Sequence, residues 1–225
     1  MPGVGNPTRV RLWDIPTRIV HWSLAVLVPF AWWSAEQHDM ERHRAAGYVI
    51  LGLLIFRLIW GFIGSSTARF SGFVRGPAKV LSYARGKGDD AAPGHNPLGG
   101  WSVIAMILLL LTQVGLGLFA SDTDGLESGP LSYMVSFETA TTLADRHETM
   151  FNVLAAIIAL HIAAVLFYLF VRRDNLITPM IGGARIYDVA PAVPPTMASL
   201  GRAAVAALAA AGIAWWVSQG LPLPA

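Results

Sequence analysis

Five long apolar stretches run along the chain, separated by polar segments that contain glycine and proline. A transmembrane α-helix needs about 20 mostly apolar residues to cross the hydrocarbon core of a bilayer. The pattern therefore predicts an all-α integral membrane protein with five spanning helices. The predicted helices cover residues 17–34, 44–64, 101–120, 147–171 and 200–219.

Tryptophan placement and composition support the membrane interpretation over a soluble helical bundle. All eight tryptophans lie near the ends of the apolar stretches, where headgroups are expected. Only 13% of the residues are charged and 54% are apolar, whereas a typical soluble domain has about 25% charged residues. The tryptophans are Trp13, Trp22, Trp32, Trp33, Trp60, Trp101, Trp215 and Trp216.

Lysine and arginine are distributed unevenly between the two sides of the predicted helices. The N-terminal tail, the second-to-third connection and the fourth-to-fifth connection are basic, while the other side has only Arg42, Arg44 and Arg146. Because basic loops stay in the cytoplasm, we expect a cytoplasmic N-terminus and, with five spans, a C-terminus on the outer side. Polar residues precede the first apolar stretch and no small-residue cleavage site closes it, so we expect a retained helix.

The domain organisation follows from two linkers and from the last helix. Residues 86–100 and 190–196 are rich in glycine and proline and are predicted to be linkers. The last apolar stretch is rich in alanine and has no histidine, so it is predicted to be a packing accessory. We expect a four-helix core domain over residues 1–190, and a linker with an accessory fifth transmembrane helix over residues 191–225.

Histidine is the residue type that carries the candidate chemistry. The chain has no cysteine, which excludes disulfides, thiolate metal sites and covalent c-type haem attachment. His147 and His161 are fourteen residues apart, so on a helix their side chains point nearly the same way, roughly 21 Å apart along the axis. The predicted topology matches His21 in depth with His161, and His43 with His147. Arg57, fourteen residues after His43, lies at the depth of the first pair.

Two pairs of facing histidines at two depths predict two bis-histidine, non-covalent b haems inside a four-helix transmembrane bundle. A metalloprotease would need a second histidine where "HETMF" has Phe151. A proton-coupled transporter would need acidic residues at mid-depth, and the five stretches have none there. Glycines could admit a flat macrocycle or simply allow close helix packing. These glycines are Gly47, Gly52, Gly115 and Gly117.

The chain resembles the bacterial cytochrome b561 family and the related cytochrome b subunits of nickel–iron hydrogenases. The matching segments are "WDIPTRIVHW", "HRAAGYVILGLLIFRLIWGFIG", "GHNPLGGWSV" and "HETMFNVLAAIIALH", in family order across residues 11–175. The resemblance implies four core helices, two b haems and electron exchange with quinone as a substrate. It assigns axial ligation to His21, His43, His147 and His161. The fifth predicted helix departs from the minimal family form.

Two further residues are candidates for cofactor contacts. Arg57 is expected to pair with a propionate of the haem at its depth, the alternative being contact with headgroups. His95 precedes the third helix, with Asn96 as the predicted N-cap and Pro97 at the first helical position. His95 would contact a haem propionate or a quinone, or else face solvent. His38 lies in a polar loop and is expected to have no site role.

The chain is predicted to lie in the bacterial inner membrane with its C-terminus in the periplasm. It is predicted to transfer electrons between the quinone pool and a periplasmic carrier such as a soluble c-type cytochrome, with no nucleic-acid partner. Whether the chain is a carrier or a quinol–quinone oxidoreductase stays open. One alternative is the membrane anchor of a multi-subunit enzyme such as a nickel–iron hydrogenase. Another is a quinone-coupled superoxide oxidase, which the acidic residues of the predicted periplasmic loops disfavour because superoxide is an anion. A non-redox anchor leaves the four histidines unexplained.

Overall fold

The computed structural model describes residues 7–87 and 94–222, and the chain is mostly helical. Helices α1 (Ile15–Glu36), α2 (Met40–Ile63), α5 (Pro97–Phe119), α6 (Phe137–Phe170) and α8 (Leu200–Ser218) correspond to the five predicted helices. The short elements are β1 (Thr8–Arg11), α3 (Phe70–Phe73), α4 (Pro77–Ala84), a 3-10 turn (Ser132–Met134), α7 (Ile177–Gly182) and β2 (Ala184–Tyr187).

Helices α2, α5, α6 and α8 are long and apolar enough to cross a membrane, so the chain is a multi-pass membrane protein. Helix α1 has 22 residues, Pro29 among them, but it is not one of the four candidate spans found in the described part of the chain. Proline, histidine and three tryptophans replace more apolar residues along α1 and lower its hydropathy. The four candidates therefore leave the fifth predicted span open.

The start of α6 differs from the predicted start at residue 147. The helix begins at Phe137, where the Ser136 hydroxyl accepts a hydrogen bond from the Thr139 backbone N–H over 3.2 Å. A serine at this position caps the exposed backbone donors of a helix start. The sequence prediction was wrong by ten residues because the first turns of α6 are polar and charged rather than apolar.

The start of α5 confirms the predicted cap. The Gly99 backbone N–H donates to Asn96 Oδ1 over 2.7 Å, and Pro97 is the first helical residue. The predicted linker at 86–100 is consequently too long by the four residues that begin α5, and residues 88–93 of that linker lie outside the described residues. Residues 190–196 form neither helix nor strand, as predicted.

A two-stranded antiparallel sheet was not predicted from the sequence. Strand β1 pairs with β2 so that Thr8 is opposite Tyr187 and Arg11 is opposite Ala184. The backbone N–H groups of Leu12 and Trp13 continue the pairing by donating to the Gly183 carbonyl over 2.8 and 3.1 Å. The partners are about 170 residues apart in sequence and each strand has four residues, so no local alternation identifies them.

The chain divides into two compact units. The first unit comprises Met1–Val20, Leu58–Ala105 and Leu160–Ala204. Within this unit the Asp14 side chain accepts two hydrogen bonds. One carboxylate oxygen accepts the Thr17 backbone N–H over 2.8 Å and caps α1, and the other accepts the Trp60 indole N–H over 2.9 Å. Both Asp14 and Trp60 are buried, so this carboxylate satisfies two donors that would otherwise be costly to bury.

The second unit comprises His21–Arg57, Met106–Ala159 and Val205–Ala225. Its core is a buried apolar cluster that α1, α2, α5 and α6 all supply. Helix α8 packs here through small residues, because a Cβ placed on Gly52 would meet the Ala214 Cβ at 3.5 Å. The Tyr133 hydroxyl also donates to the Gly220 carbonyl, just beyond α8, over 2.8 Å. The cluster consists of Val28, Ala31, Ala46, Ile50, Leu54, Leu110 and Leu154.

Candidate functional site

A cavity of about 590 Å³ lies within the second unit. Its walls come from α1, α2, α5 and α6, and the loop residues Gly129 and Pro130 also line it. Ligand and cofactor pockets typically measure about 300–1,000 Å³ and are mostly apolar with a few polar groups. Two of the predicted ligands, His43 and His147, line this cavity.

The imidazole rings of His43 on α2 and His147 on α6 face each other. Their centroids are 5.9 Å apart and their planes are nearly perpendicular, at 85°. The depth match predicted from helix geometry therefore does bring these two side chains together.

Each of the two rings is hydrogen-bonded through Nδ1 to a backbone carbonyl. His43 Nδ1 lies 2.8 Å from the Ala31 oxygen, and His147 Nδ1 lies 2.8 Å from the Gln113 oxygen. A carbonyl can only accept, so each Nδ1 atom carries a proton, and in the neutral form of each ring the lone pair lies on Nε2. Metal-binding histidines are held in the same way, with the second ring N–H donated to a carbonyl or carboxylate.

The spacing of the two rings leaves room for a metal between them. If each ring bound the same metal through one nitrogen at about 2 Å, the two ring centres would lie roughly 6 Å apart. The observed 5.9 Å agrees. Within residues 7–87 and 94–222, no group of three or more His, Cys, Asp or Glu side chains could hold a metal ion, and a haem iron requires only two ligands from the protein.

Two of the four glycines singled out in the sequence line the cavity, Gly47 and Gly117. A Cβ on Gly47 would meet nothing within 4 Å, so this position leaves open space beside the backbone. A Cβ on Gly117 would come within 2.9 Å of His147 Cε1 and 3.1 Å of Nδ1, which is closer than carbon atoms pack. Gly52 instead serves close packing against α8.

Gln113 is a site residue that sequence reasoning missed. It lies on α5, lines the cavity and is only 9% exposed. Its carboxamide nitrogen is 3.0 Å from the His147 carbonyl oxygen and 3.2 Å from His147 Nε2. A signal was present in the sequence, since Gln113 interrupts the apolar run "ILLLLTQVGLGLF", and polar residues within spans are commonly functional.

The second predicted pair stays a prediction. His21 on α1 belongs to the second unit and His161 on α6 to the first. The His21 ring contacts the Trp22 ring edge to face, with centroids 4.9 Å apart. Arg57 on α2 is buried, with 6% exposure, which an arginine only tolerates when its charge is compensated.

The structure places His95 between aromatic rings and His38 at the edge of the cavity. In the first unit, the His95 ring lies against Trp13 and Phe73, with centroid distances of 4.7 and 4.8 Å. This aromatic environment argues against a freely solvated loop histidine. His38 is exposed in the α1–α2 turn with a left-handed φ of 57°, and it also lines the cavity near His43.

Comparison with known proteins identifies one family. The family model described as prokaryotic cytochrome b561 matches residues 12–183. The match includes all six predicted site residues and ends before α8. Neither the curated proteins nor the solved structures contain a match to the chain.

Proposed function

The chain belongs to the prokaryotic cytochrome b561 family, and we propose that it is a dihaem cytochrome exchanging electrons between the quinone pool and a periplasmic carrier. Family membership already implies a membrane b-type cytochrome. The observation that carries the proposal is the cavity pair His43 and His147, whose Nε2 lone pairs are set by Nδ1 hydrogen bonds to Ala31 and Gln113.

The proposed ligand sets follow the depth matching. His43 and His147 hold one haem, and His21 and His161 hold the other. A haem supplies a reversible one-electron iron couple, and two axial imidazoles leave the iron no open position, which suits electron transfer. Arg57 would neutralise a propionate of the second haem. His95 would contact a propionate or a quinone headgroup.

The distribution of charge between the two units supports the proposed orientation. Twelve of the 16 lysines and arginines belong to the first unit, whereas nine of the 14 aspartates and glutamates belong to the second. Basic residues concentrate on the cytoplasmic side of inner-membrane proteins. We therefore propose that the N-terminus and the α2–α5 and α6–α8 connections are cytoplasmic and that the C-terminus is periplasmic, with α1 as the additional span that five crossings require.

The periplasmic partner is proposed to be a soluble protein with a basic surface. The loop before α6 carries Asp122, Asp124 and Glu127, and further carboxylates lie in the α1–α2 turn and at the helix ends beside it. Ion pairs of Glu127 with Arg44 and of Asp39 with Arg42 offset part of this charge. Both pairs are partly solvent-exposed and so contribute little energy, and the surface remains acidic. Complementary charge mainly raises the association rate of such a partner.

A membrane anchor of a multi-subunit oxidoreductase is the second candidate. One observation favours it: apolar side chains around the same loop are exposed, as expected for a permanent interface rather than a transient one. They are Leu126, Tyr133, Met134 and Phe137, with exposures of 83%, 67%, 55% and 57%. The two candidates differ in how complex formation responds to salt.

The proposed domain division treats α8 as an accessory to the core. The family match ends at residue 183, and α8 packs on α2 inside the second unit through Gly52 and Ala214. Residues 1–190 would then form the haem-binding core and residues 191–225 the linker and fifth helix. This packing supports a role in holding the core together rather than a separate activity.

Haem stoichiometry is the experiment that tests the proposal. Protein purified from haem-replete cells should release all its haem into acid–acetone, because the chain has no cysteine to bind it covalently. Two haems per chain and two midpoint potentials in a redox-titrated visible spectrum are expected. A colourless protein would refute the proposal, and a single haem would refute its dihaem form.

A further inference from the structure

Gln113 contacts His147 through both its backbone and its side chain. Its carbonyl oxygen accepts the Nδ1 proton of His147 over 2.8 Å. Its carboxamide nitrogen reaches the His147 carbonyl at 3.0 Å and the His147 Nε2 atom at 3.2 Å. One residue of α5 therefore contacts the main chain and both ring nitrogens of a residue of α6.

The directions of these hydrogen bonds are determined by their chemistry. Because Nδ1 donates to a carbonyl, the neutral ring has its lone pair on Nε2 and accepts there. The carboxamide NH₂ group has two protons, and the two acceptors at 3.0 and 3.2 Å both belong to His147. If the carboxamide were flipped, its oxygen would face the His147 carbonyl and Nε2, which are both acceptors. The carboxamide nitrogen therefore points toward His147.

The other end of the Gln113 carboxamide has an unmet requirement. Its oxygen is buried and has no hydrogen-bond partner among the described residues. Burying an amide oxygen without a partner is costly, and the residue is nine-tenths buried in the wall of the cavity. The position of the carboxamide therefore serves its contact with His147 in the cavity wall, although its oxygen forms no hydrogen bond to the described residues.

We propose that Gln113 is the positioning residue for His147 as a metal ligand. Its backbone carbonyl holds the tautomer that leaves the lone pair on Nε2. Its side-chain N–H groups hold the ring at the cavity wall and occupy that lone pair until a metal does. Metal binding would replace this N–H donor at the Nε2 lone pair, with no proton gained or lost. The inference rests on the proposed axial role of His147.

A purely structural brace between α5 and α6 is the competing explanation. A brace would affect folding and both haems alike. A positioning residue would affect one haem, that of His43 and His147, and would change the signature of its axial imidazole. The haem assigned to His21 and His161 therefore serves as an internal reference within each sample.

The test is Gln113→Met, which keeps the length and volume of the side chain and removes both N–H donors. Haem release to a soluble acceptor protein and low-spin electron paramagnetic resonance spectra are measured on the purified holoprotein. In the holoprotein Nε2 would bind the metal, so the hydrogen bond that this variant removes is the one to the His147 carbonyl. Without that bond His147 is held less firmly, and we expect one haem to dissociate roughly tenfold faster, about the effect of one net hydrogen bond, with a shift in its g-values. The other haem should be unchanged.

The matched control is Thr112→Val on the same helix. Thr112 is exposed and its hydroxyl bonds only the Leu108 carbonyl, over 2.9 Å, so both haems should behave as in the wild type. If Gln113→Met does not fold, Gln113→Leu removes the same donors with a smaller apolar side chain, and the same shift is expected there.

The outcomes separate the inference from the function beneath it. Wild-type release rates and g-values in Gln113→Met would overturn the positioning role and leave the dihaem proposal intact. Equal loss of both haems, with a lowered melting temperature, would show a structural brace instead. A wild-type protein without haem would refute the proposed function itself.

Discussion

Replacing Gly117 by alanine is predicted to weaken one haem site through a single added methyl group. The new methyl would press directly on a proposed ligand: a Cβ at this position would lie 2.9 Å from His147 Cε1 and 3.1 Å from Nδ1. Carbon atoms pack at about 3.5–4.0 Å, so the imidazole would have to withdraw by about 0.5–1 Å.

The His147 ring cannot withdraw freely, which sets the size of the effect. Its Nδ1 is bonded to the Gln113 carbonyl over 2.8 Å, and a shift of that size stretches the bond beyond the usual limit of about 3.2 Å. Overpacking of this kind costs about 1–3 kcal/mol. At about 1.4 kcal/mol per factor of ten, we expect haem retention at this site to fall by roughly five- to 150-fold.

The assay counts haem per chain after purification and follows haem transfer to a soluble acceptor protein. Gly115→Ala is the matched control, because it adds the same methyl group two residues earlier on the same helix. A Cβ at Gly115 meets nothing within 4 Å, so this variant should keep both haems at wild-type rates. The Gly117 variant should lose one haem preferentially and keep its fold.

Equal haem content and equal release rates in the two glycine variants would refute this reasoning. That result would mean that the His147 ring has room to move without losing its ligand geometry. Loss of both haems from the Gly117 variant would instead show that the second unit as a whole had been disrupted.

The remaining predictions concern haem assignment, partner docking and the last helix. Replacing His43 or His147 by alanine should remove one haem, and replacing His21 or His161 by alanine should remove the other. Haem per chain and midpoint potentials measure which haem is lost. Loss of the same haem from His21→Ala and from His43→Ala would refute the pairing. Electron exchange with a soluble partner should slow as salt shortens the Debye length below about 8 Å. Neutralising the three carboxylates of residues 122–127 should weaken this dependence on salt. A complex that assembles equally well at all salt concentrations would instead favour the membrane-anchor function. Tyr133→Phe removes the bond to the Gly220 carbonyl and should raise the rate of limited proteolysis in the loop before α6, at a cost of about 0.5–1.5 kcal/mol; an unchanged cleavage rate would show that α8 does not hold this loop.

The family and the helical membrane architecture followed from local sequence features. Apolar stretches long enough to span a bilayer mark their own positions, because lipid imposes the same requirement on every spanning helix. The fourteen-residue spacing of His147 and His161 and the order of the family motifs are equally local. The family prediction was confirmed by the match over residues 12–183, and the cap at Asn96 was confirmed by its bond to Gly99.

Helix ends and long-range pairs required the tertiary structure. The polar first turns of α6 do not differ from loop sequence until Ser136 is seen to cap them. Strands β1 and β2 are too short and too far apart in sequence for either to predict the other. In both cases the stabilising partner is absent from the local pattern.

In the candidate site, too, some features followed from the sequence and others depended on how the helices pack. The predicted topology placed His43 and His147 at one depth, since depth depends only on the position along each helix and on the side where the helix begins. Which way a side chain points around the helix axis, and what lies opposite it, depends on how the helices pack. Gly117 and Gly52 therefore look alike in sequence, yet one lies against the His147 ring and the other against Ala214. Gln113 likewise became a partner of His147 only because α5 and α6 are neighbours in the second unit.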